Sequence, residues 1–530
     1  MGDKNFGPGE LMQKTARKTD FLFVAVLILI TAVGGWIRLQ PAIQSSFPLN
    51  DGGLFYTMTM NLKANGFILP QTTTYNLANI PFVYPPFAFY LTGLLSTLTG
   101  WQVLDILRIL PGLISTLTIP AFFLLARETI GRNIPALLGT LSFAMVPRTF
   151  DWLIMGGGIT RSFGLLFAIL AIWQGYKFIS KSQTKNLLFF IFLSVLVVYS
   201  HPEAAVHVGI SMLVFYLVSN RSQTVFIFLL AAAVAVAALT APWWALVLQR
   251  HGIDPFLAAS AAARQDSYDP LTGLIVFFRY YFTDEPFTAI FASIGLIGLF
   301  RLLSQRSFLM PAWFFTAHLL EPRGGTLYMM LPLSIAAGIG LDEVILPALD
   351  SRSANSTRPS RITSIFLAFL FFYGTFSANF ASAKILNETT LNPADLAAFD
   401  WVRDNTLPTS RFILVTGENA LRDPTSEWFP SMTLRRSQST IFGYEWINDG
   451  RFAERIQEYT SLQDCADQDA ACIERWSRQT GLIFDYLYIR KAQGNMNIQA
   501  ILDIFLRQSA QYKVVYQSQQ VDIFEWLSGK

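Results

Sequence analysis

Long runs of apolar residues, separated by short polar segments, dominate the first 384 residues of the chain. About 20 apolar residues in an α-helix are enough to cross the hydrocarbon core of a bilayer, which is about 30 Å thick. The pattern therefore predicts a polytopic α-helical membrane protein with about eleven transmembrane helices. The expected spans are residues 21–38, 106–126, 134–150, 162–178, 187–200, 204–219, 224–248, 287–302, 307–320, 325–347 and 363–383.

Lysine and arginine are distributed among the connecting segments in the way that the positive-inside rule describes. With residues 1–20 as a cytoplasmic tail, every predicted inner loop contains Lys or Arg. An odd number of spans then leaves the C-terminal region outside the cytoplasm. The apolar run that begins at Phe21 has no small-x-small cleavage site after it, which favours a signal anchor over a cleaved signal peptide.

Two long segments between the spans are predicted to be outer loops. Residues 40–105 contain several prolines, and short interfacial helices are expected there, one of them beginning after Pro85-Pro86. Residues 249–286 combine charged side chains with apolar residues at helical spacing, which predicts a further helix lying on the membrane surface.

The composition changes to that of a soluble domain at about Ile385. A helix is predicted at 393–405, where Asn392 is suited to cap it and a proline follows at the first helical position. Strand-like segments alternate with further helical ones after it. We therefore expect a transmembrane domain over residues 21–384 and an extracytoplasmic soluble α/β domain over residues 385–530.

Composition narrows the class of protein further. Hydrophobic residues make up 52% of the chain and charged residues 14%, whereas average soluble domains contain about 25% charged residues. The net charge of +3 gives no indication of nucleic-acid binding. The sequence contains no Walker loop, dinucleotide fingerprint or zinc motif, so an ATP-driven transporter is not favoured. Its two cysteines, Cys465 and Cys472, are compatible with a disulfide if their domain lies outside the cytoplasm.

The first candidate for chemistry is Asp51, in the segment Leu49-Asn-Asp-Gly-Gly-Leu-Phe-Tyr56 soon after the first span. An acid at this depth must face water or a polar cavity, and the neighbouring glycines let a ligand approach the backbone. Its carboxylate can act as a general base for an acceptor hydroxyl. The ordinary alternative is that Asp51 caps the helix that follows, since Asn-Asp-Gly favours helix N-termini.

This segment and several others resemble the GT-C glycosyltransferase superfamily. The acid soon after the first span is followed five residues later by Tyr56, and Tyr84-Pro-Pro-Phe begins a predicted interfacial helix. Residues 107–115 resemble the start of that superfamily's second span. The segments that begin at Trp401 and Glu427 resemble the soluble domain of some bacterial members.

The resemblance implies an inverting transferase that takes a sugar from a polyprenyl phosphate or polyprenyl diphosphate on the outer side of the membrane. It implies that Asp51 is the catalytic general base, and it places Tyr56 and Tyr84 among the substrate-binding residues. Many members have a second acid directly after the first, and here that position is Gly52. This departure leaves open a catalytically inactive membrane scaffold with an outer binding domain.

A second cluster of ionisable residues lies between two short predicted spans, at Ser200-His-Pro-Glu-Ala-Ala-Val-His207. If a helix starts at the proline, Glu203 and His207 fall on one helical face. His201, Glu203 and His207 can assist proton transfer or bind a substrate phosphate. The sequence indicates no certain cofactor, and it leaves open a divalent metal held by Asp51, Glu203 and His207. The ordinary alternative is that Glu203 complements the helix dipole and His207 is a buried hydrogen-bonding group.

Several arginines are predicted at the outer ends of spans, among them Arg161, Arg279 and Arg323. The planar guanidinium group binds phosphate through paired donors, and a lipid phosphate would sit at this depth. The glycines at 156–158 can also present backbone N–H groups to an anion. Each arginine has an ordinary alternative, which is to reach lipid headgroups or to pair locally, as Arg323 can with Glu321. We expect at least one of the three to bind substrate.

The sequence therefore predicts a GT-C-type hexosyl- or pentosyltransferase. It would move a sugar from a polyprenyl-phosphate-linked donor to a hydroxyl group of a glycan, lipid or protein acceptor, surrounded by membrane lipid and with no nucleic-acid partner. The resemblance suggests a bacterial plasma membrane, with the N-terminus in the cytoplasm. A transporter or flippase of lipid-linked sugar is the alternative class, since transporters share intramembrane charges and broken helices.

Overall fold

The computed structural model describes residues 8–265, 270–320, 322–350, 360–491 and 499–527. Its first part is helical apart from a short antiparallel pair of strands, β1 (Thr72–Thr73) and β2 (Ile80–Pro81). The helices in chain order are α1 (Pro8–Gln44), α2 (Gly53–Ala64), α3 (Phe87–Thr99), α4 (Val103–Ile130), α5 (Asn133–Met145), α6 (Gly158–Lys181), α7 (Thr184–Ser200), α8 (Pro202–Ser219), α9 (Gln223–His251), α10 (Asp254–Gln265), α11 (Pro270–Phe278), α12 (Ile290–Ser304), α13 (Leu309–Leu320), α14 (Pro322–Tyr328), α15 (Met330–Gly340), α16 (Leu346–Asp350) and α17 (Arg361–Thr389).

Each of the eleven predicted spans coincides for most of its length with helix. Within the described ranges, seven helices are long and apolar enough to cross a membrane: α1 from Phe21 onward, α4, α6, α8, α9, the segment Gly324–Asp350 and the helix that begins with α17. The other four predicted spans coincide with α5, α7, α12 and α13, which contain only 12 to 17 residues. Helices of that length rise roughly 18 to 26 Å, which is less than the thickness of the hydrocarbon core. The chain is thus a polytopic α-helical membrane protein.

The start of the first helix and the two long loops, which the sequence predicts to be outer loops, differ in detail from the sequence prediction. α1 begins at Pro8, so the second half of the expected polar tail continues the first helix. The first outer loop contains α2 and α3, and α3 begins at Phe87, directly after Pro85-Pro86 as expected. The second outer loop contains α10 and α11, where one surface helix was expected.

Small residues bring the central helices into close contact. A side chain at Gly139 of α5 would collide with the backbone of Ser334 in α15, and one at Gly298 of α12 would collide with the backbone of Ala336. Close backbone approach of this kind is the usual way in which helices pack inside a membrane. In contrast, α9 exposes large apolar side chains such as Phe228, as lipid-facing helices do.

A buried arginine connects three of these helices. Arg38 of α1 is 0% exposed. Its guanidinium group donates to the carbonyl oxygens of Gly34 (3.0 Å) and Ala144 (2.8 Å) and to the hydroxyl oxygens of Ser115 (3.2 Å) and Thr149 (3.2 Å). Because these acceptors belong to α1, to α4, to α5 and to the turn after it, Arg38 fixes how those segments meet.

The C-terminal domain, called the outer domain here because the sequence predicts it outside the cytoplasm, is a small α/β unit. Its elements are α18 (Pro393–Asn405), β3 (Arg411–Val415), α19 (Pro424–Thr433), β4 (Arg436–Ser437), α20 (Phe452–Gln463), α21 (Ala470–Thr480), β5 (Tyr486–Arg490), α22 (Gln499–Gln508), β6 (Tyr512–Gln517) and β7 (Val521–Trp526). The strand order is β4-β3-β5-β7-β6, with β4, β3 and β5 parallel and β7 antiparallel to both of its neighbours.

Local capping sets the first helix of this domain. Asn392 and Asp395 form a reciprocal capping box at the start of α18, with a proline at the first helical position, as the sequence predicted. Cys465 and Cys472 are joined in a disulfide.

The sequence analysis did not predict β7 or α19. Of these two elements, α19 bears on the candidate site, because it packs against α2 beside Asp51.

Candidate active site

The centre of the candidate site is Asp51, in the short segment between α1 and α2. Its side chain does not cap α2, which begins at Gly53 without a side-chain capping bond. Instead, Asp51 Oδ1 accepts the backbone N–H of Gly157 at 3.0 Å, and Oδ2 accepts Arg161 Nη2 at 2.9 Å. The residue is 7% exposed. The ordinary capping alternative is therefore wrong, and the carboxylate faces the start of α6.

The glycines before α6 leave room for this carboxylate. The Gly156 N–H donates to Leu49 O and the Gly157 N–H also lies 2.9 Å from Asp51 O. A Cβ atom on Gly157 would lie only 2.5 Å from Asp51 Oδ2. Of the three backbone donors that the sequence suggested for an anion at 156–158, the Gly157 N–H meets the carboxylate of Asp51, whereas those of Gly156 and Gly158 donate to backbone carbonyl oxygens.

Arg161, in the first turn of α6, links Asp51 to the rest of the site. Its guanidinium group lies over the ring of Trp152 at 5.4 Å, and Nη1 donates to the Trp152 carbonyl oxygen at 3.4 Å. It interacts electrostatically with Tyr84 and Glu203 as well as with Asp51. The side chain remains 28% exposed.

Tyr84 and His201 extend the site from two other elements. The Tyr84 hydroxyl lies 3.3 Å from Thr160 Oγ1, and its ring packs edge-on against His201 (6.3 Å) and against Trp446 of the outer domain (5.6 Å). His201 precedes the first turn of α8, which contains Glu203. The structure therefore brings Asp51, Tyr84 and Arg161 together with the start of α8.

The remaining predicted site residues have other side chains as neighbours. His207 is 1% exposed and stacks on Tyr328 with 4.1 Å between ring centroids, as a core residue does. Tyr56 is half-buried and lies 6.1 Å from the ring of Trp428. Arg279 is exposed and contacts Tyr281. The side chain of Arg323 and the residue Glu321 lie outside the described part of the structure.

The suggested metal ligands are not gathered. Among the described residues, no three His, Cys, Asp or Glu side chains come close enough together to hold a metal ion. Asp51 is bonded to Gly157 and Arg161, and His207 stacks in the core. The donor set therefore does not fit a metal site built from Asp51, Glu203 and His207.

A second polar cluster lies beside Trp152. Arg148 Nη2 pairs with Asp284 at 2.6 Å and its Nη1 lies 3.9 Å from Asp151. Burial raises the pKa of Asp284 to about 7. The negative charge of nearby Asp151 adds to this increase, and the positive charge of Arg148 opposes it. The shorter of the two contacts of Arg148 is with Asp284, which lies in the segment 249–286, far from Arg148 in the chain.

Glu427 is the residue that sequence reasoning missed. It lies on α19 of the outer domain, is buried, and its Oε1 accepts the Gly52 N–H at 2.8 Å. Burial and then the negative charge of Asp51 raise the pKa of Glu427 well above its ordinary value, while backbone N–H groups of Gly52 and Leu54 lower it. The sequence signal for this residue is an acid at the start of the apolar stretch Glu427-Trp-Phe-Pro.

An apolar groove of about 500 Å³ runs between α7, α8 and α9. Its walls include Val197, Ala205, Met212, Leu229 and Trp244. Since Ala205 lies in the first turn of α8, one end of the groove is near the helix start that carries His201 and Glu203.

Comparison with known proteins identifies the fold. A family profile described as "6-pyruvoyl-tetrahydropterin synthase related domain; membrane protein" matches residues 83–337. No curated protein matches the chain.

Solved structures of GT-C glycosyltransferases are similar along most of the chain. The archaeal oligosaccharyltransferase AglB from Archaeoglobus fulgidus, in complex with an inhibitory peptide and a dolichol-phosphate, superposes with a TM-score of 0.57 at 14% identity, over 89% of this chain and 70% of that one. ArnT from Cupriavidus metallidurans, bound to undecaprenyl phosphate, gives 0.56 at 14% identity, over 96% of this chain and 98% of that one. The arabinofuranosyltransferase AftD from Mycobacteria gives 0.53 at 13% identity, over 93% of this chain and 41% of that one. The chain has the GT-C superfamily fold, as its sequence motifs indicated.

Proposed function

We propose that this chain is a membrane glycosyltransferase that moves a sugar from a polyprenyl phosphate or diphosphate to an acceptor hydroxyl on the extracytoplasmic side, with inversion at the sugar. The observation that carries the proposal is the Asp51 carboxylate, oriented by Gly157 and Arg161 within a GT-C fold. Two of the structurally similar proteins were solved with dolichol-phosphate or undecaprenyl phosphate, which supports a lipid-linked donor.

In the proposed reaction, Asp51 accepts the proton of the acceptor hydroxyl as its oxygen bonds to the anomeric carbon. The bond from that carbon to the phosphate oxygen breaks, and its electrons leave with the polyprenyl phosphate. Negative charge then grows on the phosphate, and a positioned cation lowers the energy of that state.

Arg161 is suited to supply that cation. A guanidinium group has five N–H donors, and the hydrogen bonds to Asp51 and Trp152 account for only part of them. Its partly exposed side chain can therefore orient the base and meet the leaving phosphate. The groove between α7, α8 and α9 has an apolar lining that suits an isoprenoid chain, near the start of α8. No step of this mechanism requires the metal site that the residues fail to form.

The proposal is tested with purified protein in detergent and a panel of sugars linked to polyprenyl phosphate. Wild type should release polyprenyl phosphate from one donor, and Asp51→Asn should lower the rate by about 100-fold or more, the size of a lost general base. Asp400→Asn, at an exposed position of α18, is the matched control and should keep the wild-type rate. Equal rates for wild type and Asp51→Asn would reject Asp51 as the base. Well-folded protein that releases nothing from any donor would favour a transporter or a binding scaffold.

A further inference from the structure

The outer domain holds the segment that contains Asp51 through a carboxyl group. Glu427 Oε1 accepts the N–H of Gly52, the residue directly after Asp51, at 2.8 Å. The Glu427 carbonyl oxygen accepts the Tyr75 hydroxyl at 2.7 Å, which fixes this part of α19 against the first outer loop. Residues that are 375 positions apart in the chain thus meet at the candidate base.

Two more side chains of α19 bond to the backbone of the same segment. Trp428 Nε1 donates to the Asn50 carbonyl oxygen at 2.8 Å, and Ser431 Oγ donates to the Gly53 carbonyl oxygen at 2.7 Å. The backbone is therefore held at the residue before Asp51 and at two residues after it. Helices are stiff, so three bonds from one helix place this segment as a unit.

The glycines make this contact possible. Gly52 has φ +132°, a conformation that favours glycine, and a Cβ atom there would lie 3.0 Å from both Trp428 and Gly156. A Cβ atom on Gly53 would lie 2.6 Å from the Glu427 carbonyl oxygen. A second acid at position 52 would not fit, and the carboxyl group beside Asp51 comes instead from the outer domain.

We propose that Glu427 is a positioning residue for the transfer reaction: its carboxyl group holds the Gly52 N–H so that the neighbouring Asp51 carboxylate stays against Gly157 and Arg161. This inference rests on the proposed function, because the reaction it serves is the one in which Asp51 is the base. It gives the outer domain a direct part in activity, as the support of the base.

The environment of Glu427 fits this role. Burial and the charge of Asp51 raise its pKa well above the ordinary value, which favours the neutral form of the carboxyl group over the ionised one. A neutral group can accept the Gly52 hydrogen bond without placing a second negative charge beside Asp51. Glutamine has nearly the same shape and also offers an oxygen acceptor, so it should replace Glu427 in positioning.

The experiment compares Glu427→Ala with Glu427→Gln in the full-length protein. Two quantities are measured: the initial rate of sugar transfer, and hydrogen–deuterium exchange of the backbone amides in peptides covering residues 50–56. Glu454→Ala, at an exposed position of α20, serves as the control. We expect Glu427→Ala to lower kcat about 10- to 100-fold at unchanged donor KM, as displacement of a catalytic group by up to 1 Å does, and to speed exchange at Gly52. Glu427→Gln should keep kcat within about threefold of wild type, because the acceptor oxygen is retained.

Three results would overturn the proposal: wild-type kcat in Glu427→Ala, unchanged exchange at Gly52 in that variant, or Glu427→Gln as inactive as Glu427→Ala. The last would mean that the ionisable proton of Glu427 is needed. A different result would separate the two proposals. If wild type transfers no sugar from any donor, but hydrogen exchange at Gly52 still changes in Glu427→Ala, the transferase function is rejected and the contact between the outer domain and the Asp51 segment is supported.

If Glu427→Ala does not fold, Trp428→Phe tests by a smaller change whether α19 positions the Asp51 segment. It keeps an aromatic ring but removes the N–H that donates to Asn50 O. A lowered kcat at unchanged KM would support positioning from α19, and wild-type kcat would count against it.

Discussion

Gly157→Ala is the substitution by which the placement of Asp51 can be tested most directly. Gly157 has φ −71° and ψ −12°, which alanine adopts without strain. The added methyl group, however, would lie 2.5 Å from Asp51 Oδ2, 2.6 Å from Cγ and 2.9 Å from Oδ1. Contacts below 3.0 Å are essentially never seen for Cβ atoms. The carboxylate must therefore move by about 0.5 to 1 Å, enough to alter its contacts with the Gly157 N–H and Arg161.

A displacement of about 1 Å at a reacting group can lower a rate about 100-fold. We expect Gly157→Ala to fold, because the end of one side chain can yield, and to lose activity about 10- to 100-fold in the polyprenyl-phosphate release assay. Gly209→Ala is the matched control, since nothing lies within 4 Å of a Cβ atom there, and it should keep the wild-type rate. Wild-type activity in Gly157→Ala would refute the reasoning, because the carboxylate would then tolerate a move away from its two partners.

Three further predictions concern charge. Arg161→Lys should fold normally but lose activity at least about 10-fold, because an ammonium group lacks the planar set of donors that can bind Asp51 and a phosphate together. A rate within twofold of wild type would argue that Arg161 does not bind both groups. Arg38→Ala should lower the free energy of unfolding by about 2–4 kcal/mol, because it leaves a cavity and removes the donor from buried carbonyl oxygens. The melting temperature, followed by tryptophan fluorescence, should fall, and an unchanged melting temperature would contradict this account. Burial raises the pKa of Asp284 to about 7 in the folded state. Between about pH 4 and pH 7 the folded protein therefore keeps this proton, whereas the unfolded chain has lost it. The contribution of Asp284 to stability thus falls as pH rises from about 4 to 7. Asp284→Asn should flatten that part of a plot of melting temperature against pH, and a slope equal to that of wild type would exclude Asp284 as the cause.

Some parts of the candidate site followed from local sequence and others did not. Asp51 was found because an acid soon after a long apolar run must have a polar environment. Its partners were ambiguous: capping of α2 and binding at the glycines were both chemically reasonable, and only folding shows that the Gly157 N–H and Arg161 meet the carboxylate. His207 is a different case: its spacing places it on one helical face with Glu203, and only packing shows that its ring also stacks on Tyr328.

The sequence alone determined the membrane-spanning character, the positions of the seven long apolar helices in the described part of the chain and the capped start of α18. These features are local: an apolar run in lipid must satisfy its own backbone hydrogen bonds, which a helix does, and a capping box involves neighbouring residues. The tertiary structure decided what surrounds Asp51. Glu427 reaches Gly52 only because the outer domain docks on the first outer loop, and Arg148 finds Asp284 only because two outer segments converge. Contacts between residues far apart in the chain depend on how helices and domains pack, and no periodicity or spacing in a single segment encodes them.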